Sequence, residues 1–129
     1  MDDIKFTIRT DSQDEQELMS VEMLSEALER LQKVQIEKNA KETVFIVIDC
    51  NPKIQNVSCI QVAYHYDKNA NFFNKMLQSD EFTIEVIMEY ENKTTIRRNY
   101  TTDFKNIESI LYDFVEKRII PNLNDWEVG

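Results

Sequence analysis

The side chains best suited to covalent or acid–base chemistry are few: Cys50, Cys59 and His65 are the only cysteines and the only histidine. A thiol nucleophile needs a base within hydrogen-bond reach. Cys59 and His65 stand six residues apart on the same face of one expected strand, a span of about 20 Å. Cys50 could meet His65 only through tertiary folding. Both thiols therefore read as buried apolar filler, and two cysteines nine apart with one histidine match no zinc-ligand spacing. Histidine as a residue type is suited to proton transfer near neutral pH, but His65 reads as a strand surface residue. An enzyme or ligand-binding role for it would require a deep pocket holding a carboxylate beside it. The single glycine, Gly129, leaves no phosphate-cradling loop, dinucleotide fingerprint or nucleophile elbow. No catalytic residue, cofactor or metal ligand is expected.

Acidic side chains are the abundant polar resource. Glu85, Glu89 and Glu91, with Ile87 among them, form an acidic strip on one strand face, and Asp80 and Glu81 lead into it. Such a strip is what the solvated face of an antiparallel sheet looks like. It is also what a small interface looks like, with an apolar centre and a charged rim that attracts a basic partner. Glu85, Ile87, Glu89 and Glu91 are accordingly the candidate partner interface. Trp126, the only tryptophan, is expected to pin the C-terminal tail to the body rather than to serve as a binding hot spot.

The 129 residues suit a single domain. With 42% hydrophobic and 10% aromatic residues the chain has the material for a core. Its net charge of −9, from 24 acidic against 15 basic residues, argues against nucleic acid and anionic membranes as partners. No apolar run approaches the roughly 20 residues that span a bilayer. The start, Met-Asp-Asp-Ile-Lys, lacks the features of a signal peptide, so a cytoplasmic location with reduced thiols is expected.

The elements that must carry these residues follow from periodicity. Thr43–Asp49, with five consecutive apolar residues, reads as a strand covered on both faces. Ile4, Phe6 and Ile8 alternate with polar residues in a first strand. Ser12 with Glu15 forms a capping-box pattern opening a long helix, whose stripe is Leu18, Val21, Leu24, Leu28, Leu31 and Val34. Glu26–Arg30 and Glu29–Lys33 are spaced to pair along it. Asn51-Pro52 marks a turn. Val57–Tyr66 resumes as a strand with Ile60, Val62, Tyr64 and Tyr66 on one face. Residues 67–80, holding Phe72, Phe73, Met76 and Leu77, form a short helix or a loop. Phe82–Tyr90 and Thr94–Tyr100 form a hairpin around Glu91-Asn92-Lys93, with Asn suited to the left-handed conformation. Thr102 or Asp103 caps a second helix, Phe104 to Ile119, which Pro121 ends. The tail is too polar for a further element. The order β-α-β-β-(short helix or loop)-β-β-α implies an α+β fold, with a mainly antiparallel sheet of about five strands and two amphipathic helices. The helices are expected on one face, leaving Gln61, His65, Glu85 and Glu89 partly exposed on the other.

A hairpin ending in Ile96-Arg97-Arg98-Asn99-Tyr100-Thr101-Thr102-Asp103 feeds a helix, and then comes Ile120-Pro121-Asn-Leu-Asn-Asp125-Trp126-Glu127. This C-terminal third resembles small acidic immunity-like proteins of bacterial polymorphic toxin systems. The resemblance carries no site residues across. It implies a small, cofactor-free cytosolic binder that neutralises a toxin by covering a basic surface. The composition points independently to a non-enzymatic acidic protein-binding domain. A structural or regulatory homo-oligomer, using a sheet edge or the stretch around Phe72-Phe73, is the alternative, and a small enzyme using His65 a further one.

Overall fold

The computed structural model describes residues 4–37, 44–64 and 82–128. Among these residues the expected α+β architecture is present as a seven-stranded antiparallel sheet with two helices, in the order ββαββββαβ. Strands β1 (Lys5–Thr10), β2 (Gln13–Glu17), β3 (Val44–Ile54), β4 (Val57–Tyr64), β5 (Phe82–Tyr90), β6 (Lys93–Thr101) and β7 (Glu127–Val128) lie in the spatial order 2-1-3-4-5-6-7. Helix α1 (Val21–Glu37) crosses between β2 and β3, and α2 (Phe104–Tyr112) follows β6.

Both helices lie on one face, and the alternation of the strands selects that face. Phe6 and Ile8 from β1, Ile46 and Ile48 from β3, Ile60, Val62 and Tyr64 from β4, and Phe82, Ile84 and Val86 from β5 meet Leu24, Leu28 and Leu31 of α1 and Phe104, Ile107 and Leu111 of α2. Tyr64, Phe82 and Phe104 form a run of tilted rings with centroids 5.7 and 6.0 Å apart. Ser25 and Tyr112 share a hydroxyl–hydroxyl hydrogen bond that links the two helices. Asp103 is the N-cap of α2, its carboxylate accepting from the Lys105 N–H at 3.0 Å.

Several expectations are corrected. Ser12–Glu17 is not the first turn of α1 but a turn followed by β2, which pairs with β1. The Thr10 hydroxyl accepts from the N–H groups of Ser12 and Gln13, and this side-chain turn displaces the capping box. Leu18 consequently lies before the helix, and its N–H bonds the Phe6 carbonyl at 2.9 Å. Val21 is 41% exposed rather than part of the buried stripe. Arg30 reaches back to Asp11 instead of being reserved for Glu26. Asn51-Pro52, joined by a cis peptide, does not end β3. The strand continues to Ile54 and turns at Gln55-Asn56, both with positive φ, as a two-residue hairpin loop whose twist matches that of the flanking strands requires. In the β5–β6 turn the left-handed residue is Glu91 (φ 51°), not Asn92.

The count of about five strands misses β2 and β7. The tail does form an element, because Val128 and Glu127 pair with Arg97 and Arg98 of β6. Trp126, just before it, is 8% exposed and part of the core, so it pins the tail as expected. The second helix ends earlier than Ile119. After Tyr112 it relaxes into a π-helical turn, Asp113–Lys117, closed by Arg118 in the left-handed conformation. That wider turn carries Phe114 into the core, edge-on to Phe6 at 5.5 Å. The readings of His65, Tyr66, residues 67–80 and the Phe72-Phe73 stretch fall outside the described residues.

Candidate functional site

The face of the sheet opposite the helices is built from the residues that alternate with the core. Register arranges them in rows running across the strands. One row reads Arg9–Val47–Gln61–Glu85–Arg98–Glu127, each a direct cross-strand neighbour of the next. On one side of it lies Thr7–Asp49–Cys59–Ile87–Ile96, and on the other Phe45–Ala63–Thr83–Tyr100. Shallow depressions of about 270 and 340 Å³ lie over this face, sharing Arg9, Val47, Gln61 as lining residues. Val47 is 6% exposed although no described helix covers it. Its cover comes from long neighbours: the Arg9 guanidinium stands 5.9 Å from the Phe45 ring centre, a cation–π contact. The expected cover of β3 on both faces is corrected: among the described residues the helices lie on one side only, and on the other Phe45 and Asp49 stay half-buried while Val47 alone is buried.

The acidic strip looks different once register is known. Glu85, Ile87 and Glu89 do share the open face, while Glu91 lies beyond the strand in the turn. Glu85 is engaged twice. One carboxylate oxygen accepts from Arg98 Nε and Nη2 at 3.0 and 2.7 Å, and the other accepts from the Gln61 amide at 2.7 Å. The hydrogen bonds to Glu85, and then its charge, hold the Arg98 guanidinium above its ordinary pKa. Glu89 pairs with Lys53 at 3.2 Å. Two acids of the strip are therefore balanced by bases from neighbouring elements. Reading along one strand could not reveal this, because the partners come from across the sheet.

The cysteines divide between the faces. Cys50 belongs to the core and donates its thiol hydrogen to the Val57 carbonyl at 3.2 Å. Cys59 lies on the open face beside Asp49, its cross-strand neighbour. Both are free and buried. Burial first, and the nearby Asp49 carboxylate second, raise the Cys59 thiol far above the ordinary range. Burial also raises Cys50. Neither is primed as a thiolate. Among the described residues no three His, Cys, Asp or Glu side chains are grouped to hold a metal ion.

The acidic surface that sequence reading passed over lies elsewhere. Residues 11–30 hold seven acids and one base, Arg30. Asp11 is spoken for: it grips Arg30 at 2.6 and 2.7 Å and accepts from the Phe45 N–H at 3.1 Å. Asp14, Glu15 and Glu17 on β2 and Glu22, Glu26 and Glu29 on α1 are exposed. The charge count of this segment was available in the sequence, but assigning its first acids to a helix start hid their presence on a sheet edge.

An antiparallel sheet with both described helices on one face, an open face on which Glu85 and Glu89 are paired, and an acidic edge make this chain an α+β protein. No protein-family model matches the chain, and no curated protein or solved structure is similar to it.

Proposed function

We propose that this protein is a non-enzymatic binding domain that engages a basic surface of a protein partner, and that its concrete role is to neutralise a toxin by covering that surface. The observation that carries this reading is the concentration of exposed acids on β2 and the first turns of α1. A localised negative field speeds encounter with a basic partner and rejects acidic ones. Occlusion needs no reactive group, in keeping with two buried thiols held in their protonated form. The resemblance of the C-terminal third to immunity-like proteins points the same way. No described helix is long and apolar enough to cross a membrane, and a cytoplasmic site of action fits this role.

The product of the neighbouring reading frame, if it ends in a basic domain, is the partner to test. Titration calorimetry and stopped-flow mixing should give a stoichiometric complex. Its association rate should fall at least about tenfold when salt is raised above the regime where the Debye length exceeds about 10 Å. Replacing Glu15 and Glu17 by lysine should slow association by a similar factor. These positions are better probes than Glu85, whose charge already balances Arg98. Association indifferent to both salt and charge reversal would remove the electrostatic reading.

A further inference from the structure

β2 is the outermost strand on its side of the sheet. Leu18, directly after it, gives its N–H to the Phe6 carbonyl of β1. Backbone polar groups alternate sides along a strand, so the N–H and C=O of Glu17 point away from β1; the register shifts between Gln16 and Gln13, and the alternation is not carried further back. No described strand lies beyond them. The five residues Gln13–Glu17 are all exposed and include no proline, so the outer ladder groups are available to an added strand.

A second feature adjoins the same edge. A cleft of about 520 Å³ lies between the β1–β2 hairpin and α1, with Ile8, Met23 and Ala27 as apolar lining and Gln13, Gln16, Glu26 and Arg30 as polar lining, the Arg30 charge being taken up by Asp11. Ile8 and Gln16 are cross-strand partners, which places the cleft on the helix side of β2. Side chains of an added strand alternate between faces, so every second one would hang over this cleft. Apolar walls with a carboxylate among them fit the methylene stem and cationic head of lysine or arginine. The third feature selects the partner. Asp14, Glu15 and Glu17 repel a second copy of this edge and attract a basic chain.

We propose that β2 is a docking edge for an extended basic segment of a protein partner, which joins the sheet as a further strand and lays a lysine or arginine side chain into the cleft beside Glu26. This rests on the reading of the protein as a binder of basic surfaces and names the surface and the mode. Acids on an edge strand also guard against sheet-to-sheet aggregation, but that role accounts for the charge alone and not for the side-chain cleft beside it.

The test titrates the isotope-labelled protein with a soluble peptide of about ten residues alternating lysine and threonine, beside a glutamate–threonine counterpart. The lysine peptide should shift the amides of residues 13–17 and of Met23, Glu26 and Ala27, and protect the Glu17 amide proton from exchange. Glu17→Gln removes charge but keeps the outward N–H and should weaken binding by about threefold or less. Glu17→Pro removes that N–H at an edge position where the β1 ladder does not need it, and should weaken binding at least about tenfold. Shifts confined to the Gln61–Glu85–Arg98 row, equal affinity of the two variants, or an unprotected Glu17 amide would overturn the docking edge while leaving the basic-partner reading intact. Failure to bind the lysine peptide, together with failure to bind the neighbouring basic domain, would overturn both. If the proline variant fails to fold, amide exchange in the unaltered protein decides.

Discussion

Asp11 offers the sharpest check on how the acidic end is built, because one carboxylate serves three elements. Strand β1 pairs with β3 only as far as Thr10 opposite Ile46, which leaves the Phe45 N–H without a ladder carbonyl. The Asp11 carboxylate takes that place at 3.1 Å while gripping Arg30 of α1 through both oxygens. Burial works against its charge. The hydrogen bonds from Arg30 and Phe45 and the Arg30 charge outweigh that opposition, and the carboxyl lies below the usual range. Asp11→Ala removes all of this. The Arg30 side chain is 43% exposed and returns to water, so losing the pair costs at most about 1 kcal/mol. The Phe45 N–H loses its acceptor at about 1–2 kcal/mol. A loss of about 2 kcal/mol in a domain of this size lowers Tm by about 6–10 °C. Asp11→Asn keeps an acceptor for Phe45 and should cost about half as much. Because the folded-state pKa is depressed, this contribution is complete at neutral pH and is lost as pH falls through the folded value. The gap between the protein and Asp11→Asn, followed by thermal melts monitored by circular dichroism, should close below about pH 4. Equal losses for the two variants would refute the backbone-acceptor role. A gap that ignores pH would refute the ionic one.

Other outcomes follow from the same geometry. Phe114→Ala, at a fully buried site against Phe6, should cost about 3–5 kcal/mol in denaturant unfolding; a loss below about 1 kcal/mol would mean that the π-helical turn does not deliver this ring to the core. Replacing Gln55-Asn56 by Asn-Gly should raise stability by about 1 kcal/mol, since both positions hold positive φ. Unchanged or reduced stability would count against that turn geometry. Cys50 and Cys59, buried with raised pKa values, should react with a thiol reagent at pH 8 only as fast as the protein opens; prompt labelling of the native state would contradict this. Glu85→Ala should free the Gln61 amide and the Arg98 Nε–H to exchange quickly with water, measured by side-chain NMR. Continued protection would show that the row across the sheet does not depend on its carboxylate.

Period and patterning made most of the body legible. Phe6 and Ile8, Ile60 and Val62, Ile84 and Val86 fall on the core face as alternation requires, and Leu24, Leu28 and Leu31 fall on the buried stripe of α1. Phe82–Tyr90 with its return strand was readable because one face is apolar at every second residue over nine residues. Gln13–Glu17 was not, since a wholly exposed edge strand buries nothing and leaves no apolar period. Its Ser12/Glu15 spacing imitates a helix cap, and only the hydroxyl of Thr10 tips the chain into a turn. Glu127–Val128 escaped notice because a two-residue strand is formed by the partner it lies beside.

The residues alone determined the α+β class, the side of each strand that meets the helices, the inertness expected of the two thiols and the sign of the surface charge, because these depend on local periodicity and composition. Tertiary structure alone decided which charges remain free. Register set Arg98 and Gln61 against Glu85 and so balanced the strip that looked like an interface, while the fold of the first hairpin exposed Asp14, Glu15 and Glu17 on an open edge. Hydrogen bonds and ion pairs between strands join residues 13 and 24 positions apart, and no spacing along the chain encodes which of them meet.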